Sequence, residues 1–312
     1  MRKIFVNLKR FEVPKSRGGL CPLNDPIAWI EEILRDTVKL GLGEQDALQL
    51  TYLLPEGLIS TAVRQLKYYP SEKTQRIAIG CQGVHWENIQ AGKNFGAFTS
   101  SLPAAAAAAL GSQWAIIGHS EERKAKMQVM CTYEPEIETD PVLRALSNRA
   151  TEQLIQAEVA AALDSGLGVL LCVGESAEER GDGVFEEQQA RIAEILRAQL
   201  SGDLSSSQPA LKEGRIVIGY EPLWAIGPGK TPPGAEYIRF VSAKIKEIVR
   251  ENFNAGVEVV YGGGLKEENA AMLGSIDTIA GGLVALTHFT GEIGFSVPEL
   301  KSIIDKYLSA IS

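Results

Sequence analysis

Short, nearly continuous apolar runs recur along the chain with stretches of helical periodicity between them, the pattern of repeated βα units. Residues 3–7 read as a first strand, 25–39 as an amphipathic helix and 47–52 as a second strand. A third strand over 76–82 is followed, after a long loop, by the alanine-rich helix 103–110, where Pro103 suits an early helical position. Residues 114–118 give the fourth strand, 147–165 a helix, 168–173 the fifth strand and 185–200 a returning helix. The sixth strand covers 215–220, and Pro232 and Pro233 mark the approach to a long helix over 235–252. Strands seven and eight fall at 257–261 and 278–281, with short helices at 267–273 and 298–308.

A parallel sheet is covered on both faces, so its strands are apolar almost throughout, as Ile216-Val217-Ile218 and Val169-Leu170-Leu171 are. Eight such strands can close and lose both edges, which favours an α/β class (β/α)8 barrel, one domain over 1–312, over an open doubly wound sheet. Three segments exceed a usual connection: 11–24, 121–146 and 201–214. The first two follow strands and belong to the functional face; the third follows a helix and, being rich in serine, reads as a solvated spacer at the opposite end.

Composition narrows the class. With 312 residues, 45% hydrophobic and 22% charged, the chain can bury a large core. A net charge of −8 argues against a general nucleic-acid surface, although a local cluster of backbone N–H groups can still hold a small anion. No apolar run reaches signal-peptide or membrane-spanning length, so no membrane partner and a soluble, cytoplasmic protein are expected. Cysteines at 21, 81, 131 and 172 and histidines at 85, 119 and 288 show no metal-ligand spacing; Cys81 and Cys172, inside apolar strands, read as buried thiols.

In a barrel of this kind chemistry gathers at the carboxyl ends of the strands. Those positions carry Asn7 and Lys9 after strand one, His119, Ser120 and Glu121 after strand four, Glu175 after strand five and Glu221 after strand six. Glu221, directly before Pro222, suits a carboxylate base; a loop-capping carboxylate is the alternative. His119 could polarise a carbonyl as a neutral imidazole, or serve only as a buried structural histidine. Lys9 could offset developing negative charge, paired with Glu121 and oriented by Asn7, and is otherwise an ordinary surface lysine. The glycines at 262–264 and at 281 and 282 allow close backbone approach to a ligand. The segment Pro222, Leu223, Trp224, Ala225, Ile226, Gly227, Pro228, Gly229, Lys230 reads as a mobile lid or as a static loop with Trp224 packed on the barrel.

Taken together, Asn7-Leu8-Lys9, Gly96-Ala97-Phe98-Thr99, Ile117 to Glu121, Cys172-Val173-Gly174-Glu175, the lid from Tyr220 to Thr231, Tyr261-Gly262-Gly263 and Gly281-Gly282 resemble the signatures of the triosephosphate isomerase family, in family order. The resemblance implies Glu221 as catalytic base, His119 as electrophile, Lys9 as electrostatic partner, with Asn7 and Glu121 in support. It implies phosphate held by Gly227, Gly263, Gly264, Gly281 and Gly282, and a homodimer made through the loop Gly96, Ala97, Phe98, Thr99. The implied reaction interconverts dihydroxyacetone phosphate and glyceraldehyde 3-phosphate through an enediolate, a step of glycolysis and carbohydrate metabolism that needs no metal or organic cofactor. Leu8 stands where the family usually has Trp, Arg10 for Met, Glu122 for Arg, Pro228 for Thr and Gly264 for Ser. These departures and the extensions keep open an isomerase of a tetrulose or another short sugar phosphate, and, as a different class, a non-catalytic phosphate-ligand barrel.

Overall fold

The apolar runs pair side by side in chain order and close on themselves. In a computed structural model describing residues 1–227, 229–289 and 293–311, eight parallel strands form a closed barrel, each bonded to its sequence neighbours and β1 to β8. They are β1 (Arg2–Asn7), β2 (Leu48–Leu54), β3 (Ile77–Cys81), β4 (Trp114–Ile117), β5 (Gly168–Val173), β6 (Ile216–Tyr220), β7 (Glu258–Tyr261) and β8 (Gly281–Val284). Alternate residues point inward, because successive side chains of a strand face opposite sides. Phe5, Leu53, Ile116, Leu170, Cys172, Val217, Val260 and Leu283 fill the interior, with Trp114 set edge-on to Phe5 at 5.3 Å. The outward residues, such as Ile4, Val6, Val169 and Ile218, pack beneath the helices.

Those helices are α1 (Pro26–Lys39), α2 (Glu56–Leu66), α3 (Ala104–Ala109), α4 (Ser120–Tyr133), α5 (Pro141–Asp164), α6 (Ala177–Arg180), α7 (Phe185–Asp203), α8 (Gln208–Lys212), α9 (Ala235–Phe253), α10 (Ala270–Gly274) and α11 (Val297–Ser309). α1 shows why the local sequence folds this way. Asp25 accepts the Ile27 N–H at 2.9 Å, Pro26 occupies the first turn, and Trp29, Ile30, Ile33, Leu34 and Val38 form one buried stripe. Each such aliphatic side chain contributes roughly 1.5 to 3 kcal/mol when buried.

Three expectations need correction. The 121–146 segment is helix, not loop: α4 begins at Ser120, and α5 begins at Pro141, where Asp140 accepts from Val142 and Leu143. α4 buries no residue, so it carries no amphipathic stripe by which periodicity could reveal it. The 201–214 segment is not a solvated spacer; α7 continues to Asp203, α8 follows, and Asp203, Leu204, Ser207, Ala210 and Leu211 are buried.

The third correction concerns strand eight, which begins three residues later than expected. Gly281 and Gly282 therefore lie within β8, paired with Lys3 and Ile4 of β1 and with Val260 and Tyr261 of β7. A Cβ at Gly281 would fall 1.7 Å from the Lys3 carbonyl oxygen and one at Gly282 2.8 Å from the Leu265 side chain. Close packing of strand against neighbour accounts for both glycines, and neither stands in the loop beyond the strand.

Candidate active site

The strand ends bring the expected groups together at one mouth of the barrel. Glu221 directly follows β6, its N–H continuing the ladder to the Val173 carbonyl at 2.8 Å, and its side chain is 3% exposed. One carboxylate oxygen accepts the Ser120 N–H at 3.0 Å and the other the Ser120 hydroxyl at 3.2 Å. His119 Nε2 lies 3.3 Å from the same carboxylate. Burial raises the Glu221 pKa above the usual carboxylate value, opposed by His119, by the two Ser120 donors and by Arg123. A carboxylate so placed is a stronger base than a solvated one.

His119 caps α4, its Nδ1 accepting the Glu121 N–H at 3.3 Å. With Nδ1 accepting, Nε2, the nitrogen that faces Glu221, is the ring's donor. Lys9 stands across the mouth with a positive φ of 44°. That conformation is costly without glycine and is held by two bonds: Asn7 Oδ1 accepts the Lys9 N–H at 3.0 Å, and Gln82 donates to the Lys9 carbonyl at 2.7 Å. Lys9 Nζ reaches Glu121 Oε1 at 2.5 Å. Burial works against the Glu121 carboxylate, but the bond and charge of Lys9, with His119, prevail and lower its pKa.

Glu175, two residues past β5, anchors the segment that follows Glu221. It is fully buried, and one oxygen accepts from Tyr220 at 2.9 Å, Trp224 Nε1 at 2.8 Å and Tyr237 at 2.7 Å. The Arg180 guanidinium stacks 3.9 Å above the Trp224 ring. Leu223–Ala225 form a single 3-10 turn after Pro222, with Ala225 buried. Beyond it Ile226, Gly227, Gly229 and Lys230 are exposed, and Gly227 and Gly229 have open space around them and positive φ. The segment is thus fastened at Trp224 and projects into solvent at its tip; Pro228 lies outside the described residues.

After β7, Gly264 has φ +92°, and a Cβ at Gly263 would meet the Tyr261 hydroxyl at 2.3 Å. Among the described residues the backbone N–H groups of Gly227, Gly263 and Gly264 have no hydrogen-bond acceptor, so they are available to an anion. The loop holding Gly96, Ala97, Phe98 and Thr99 is a tight turn knotted by Asn94, which accepts from Gln90 and Gly96 and donates to Asn88. It leaves Trp86, Ile89 and Phe95 exposed.

Ser120, at the end of strand four, is given no role by sequence; it holds both oxygens of Glu221. Another contributor carries no strand-end signature. Gln199, from α7, donates to the Gly174 carbonyl and accepts its N–H, both at 3.0 Å. Gly174 in turn admits the Glu221 backbone, since a Cβ there would lie 1.8 Å from the Glu221 carbonyl oxygen. Gly174→Ala is therefore expected to destabilise the fold by about 1 to 3 kcal/mol through backbone displacement, measured by urea unfolding; an unchanged midpoint would refute this packing account. Ser120, Gly174, Gln199 and Leu223 also border a cavity of ≈ 660 Å³ walled by α4, α5 and α7. Another cavity, of ≈ 640 Å³ near Met1, Lys3 and Trp114, opens by the amino ends of the strands, away from these groups. Among the described residues no three His, Cys, Asp or Glu side chains gather to hold a metal, and no helix is long and apolar enough to cross a membrane.

Known proteins share this arrangement of sequence and fold. A family model described as triosephosphate isomerase matches residues 46–291. A triosephosphate isomerase of Alkaliphilus metalliredigens is 32% identical over 214 residues, covering 67% of this chain and 71% of that protein. One of Oleidesulfovibrio alaskensis is 32% identical over 192 residues, covering 61% and 65%. One of Granulibacter bethesdensis is 33% identical over 226 residues, covering 72% and 76%. In three dimensions the chain is similar to the crystal structure of triosephosphate isomerase from Bartonella henselae, with a TM-score of 0.62 and 24% identity, covering 91% of this chain and 92% of that one. At that identity the structural likeness speaks for the fold.

Proposed function

Because the chain belongs to the triosephosphate isomerase family, we propose that it interconverts dihydroxyacetone phosphate and glyceraldehyde 3-phosphate through an enediolate. The observation that carries this reading is the buried Glu221 carboxylate, its pKa raised, 3.3 Å from His119 Nε2 and across the mouth from Lys9. Glu221 removes the proton from the hydroxyl-bearing carbon next to the carbonyl. His119 Nε2–H and the Lys9 ammonium stabilise the oxygen charge that develops, and Glu221 returns the proton to the neighbouring carbon. These are the roles for which triosephosphate isomerase is well known. The phosphate is held by the N–H groups of Gly227, Gly263 and Gly264. The β8 share falls to backbone beyond the strand, at Ala285 and Leu286, instead of Gly281 and Gly282.

Both Glu221 oxygens rest on Ser120, so the carboxylate exchanges those bonds for the substrate as the segment Pro222 to Lys230 closes on the phosphate. Closure also expels water from the enediolate. Trp224→Phe deletes one donor to Glu175 and is expected to lower kcat/KM about tenfold, the worth of one hydrogen bond to a charged acceptor; steady-state kinetics check it, and wild-type values would show that the anchor has no part in closure.

The pH dependence follows from burial. Glu221 must be ionised to act, and its pKa lies above 4.5, so the acidic limb of kcat/KM should fall at higher pH than an ordinary carboxylate would give. A limb at or below 4.5 would remove Glu221 as the base.

The second reading, a tetrulose or other short sugar phosphate, is favoured by the α4 and α5 insert beside Ser120 and Leu223 and by Gly264, which offers no hydroxyl near the phosphate. Assays against dihydroxyacetone phosphate and four- and five-carbon ketose phosphates decide between them: efficient turnover of the triose alone supports the first reading, and turnover of a longer ketose alone overturns it. A homodimer through the 96–99 loop and the exposed Trp86, Ile89 and Phe95 belongs to the same proposal.

A further inference from the structure

Two consecutive residues of α4 grip Gly118, the residue before His119. Gly118 donates its N–H to Glu122 Oε2 at 2.7 Å, and its carbonyl accepts from Arg123 Nε at 2.7 Å. Its φ is +73°, and a Cβ there would lie 2.8 Å from the Arg123 guanidinium and 3.0 Å from the Cys172 carbonyl. Both peptide groups flanking the Gly118 Cα are therefore held, and the backbone enters His119 in one direction only.

Arg123 has evident support from Glu152 and Asp203. Glu122 is harder to explain, because a carboxylate withdrawn from water needs compensation. The other Glu122 oxygen takes Lys126 Nζ one turn along α4. The same ammonium reaches Glu158 Oε1 of α5 at 2.8 Å. Glu158 is 2% exposed, and its Oε2 is buried with no partner among protein donors, yet its side chain is within bonding reach of Glu122. Two carboxyl groups around one ammonium leave a net negative charge at a site where Glu122 is partly and Glu158 almost fully withdrawn from water. A proton on Glu158 Oε2, donated to Glu122, neutralises the cluster and satisfies the orphaned oxygen.

We propose that Glu122 is a positioning residue for His119: held by Lys126, which Glu158 shares, its carboxylate fixes the Gly118 N–H and so the direction of the imidazole. This rests on His119 acting as the electrophile. Among the described residues, Lys126 of α4, Glu158 of α5 and the Gly118 peptide just after β4 meet Glu122, and the Cys172 thiol of β5 lies within its field. Burial, then the bond and charge of Glu122, raise the Glu158 pKa to about 9. For Glu122, burial is outweighed by Glu158, Lys126 and the Gly118 N–H, which lower its pKa. The arrangement is complete at neutral pH and fails when Glu158 loses its proton.

The test pairs kinetics with the ¹⁵N shifts of the His119 ring in the free protein. Glu122→Leu should lower kcat on the order of 10- to 100-fold, as a displaced catalytic group does, with KM and inorganic phosphate affinity within about twofold and the His119 shifts moved. Glu122→Gln, whose amide oxygen can still accept from Gly118, should recover most of the kcat. Wild-type kcat should decline in alkali, a decline absent from Glu158→Gln, which supplies a permanent donor. A folded Glu122→Leu protein with wild-type kcat and unmoved His119 shifts overturns the proposal, as does a Gln variant as impaired as the Leu. If Glu122→Leu does not fold, the Gln variants at 122 and 158 decide by the same readouts. Should wild type turn over no sugar phosphate, the isomerase reading falls, while the His119 shifts still report whether Glu122 sets the ring.

Discussion

Glu221→Gln is expected to lower turnover roughly 10²- to 10⁴-fold, the usual contribution of a positioned proton-transferring group. Binding of inorganic phosphate should persist, because the donors at Gly227, Gly263 and Gly264 are backbone. Exchange of substrate hydrogen with deuterated water is the more direct readout, since it reports removal of the carbon-bound proton itself. The variant should also be no less stable than wild type. Its amide oxygen can still accept from the Ser120 N–H, and the amide carries no charge to desolvate. The folded pKa of Glu221 is raised by burial, so the contribution of this group to stability is fullest below the unfolded value of 4.5 and is lost as pH rises through the folded one. The Tm of Glu221→Gln relative to wild type should therefore increase with pH. Unchanged turnover, or a deuterium exchange rate equal to wild type, would dispose of the proposed base.

The largest loss of stability should come from Arg123→Met. Its guanidinium donates to Glu152 at 2.9 Å, Asp203 at 2.6 Å, the Gly118 carbonyl at 2.7 Å and the Cys172 carbonyl at 3.0 Å. Asp203 is fully buried and one of its oxygens already lacks a partner. Burial raises the Asp203 pKa even with Arg123 beside it, so removal of the cation leaves a carboxyl that must protonate to remain inside. Breaking a buried pair from one side costs about 3 to 5 kcal/mol, measured by urea unfolding. The loss should be greatest in alkali and smaller in acid, where Asp203 is neutral. Adding Asp203→Leu and Glu152→Leu should return much of it, because an apolar trio does not require compensation. A single variant within 1 kcal/mol of wild type would show that water reaches the site and replaces the guanidinium.

How much of this was legible beforehand depends on where each partner sits in the chain. The strands were readable because both faces are covered, so Val169-Leu170-Leu171 and Ile216-Val217-Ile218 stay apolar without alternation. α4 was not, because its residues 120–133 bury no face and leave periodicity nothing to report. The sequence places strand eight three residues early, because Gly281-Gly282 read as a loop. Only the approach of Lys3 and Leu265 reveals why glycine is needed inside a strand.

The candidate site divides in the same way. Asn7, Lys9, His119, Glu175 and Glu221 stood out as polar groups at the ends of apolar strands, a one-dimensional signal that the parallel barrel turns into proximity. Asp203 on Arg123 and Gln199 on Gly174 gave no such signal, and Ser120, though at a strand end, gave no sign of its bonds to Glu221. Their partners lie 80, 25 and 101 residues away, and a serine, an aspartate or a glutamine looks alike whether solvated or buried. The sequence by itself determined that eight apolar strands would close and carry Glu221, His119 and Lys9 to one mouth. Only the tertiary structure decided which charges are desolvated, hence that Glu221 rests on Ser120 with a raised pKa and that Glu122 stands over Gly118, because desolvation belongs to a site and not to a residue.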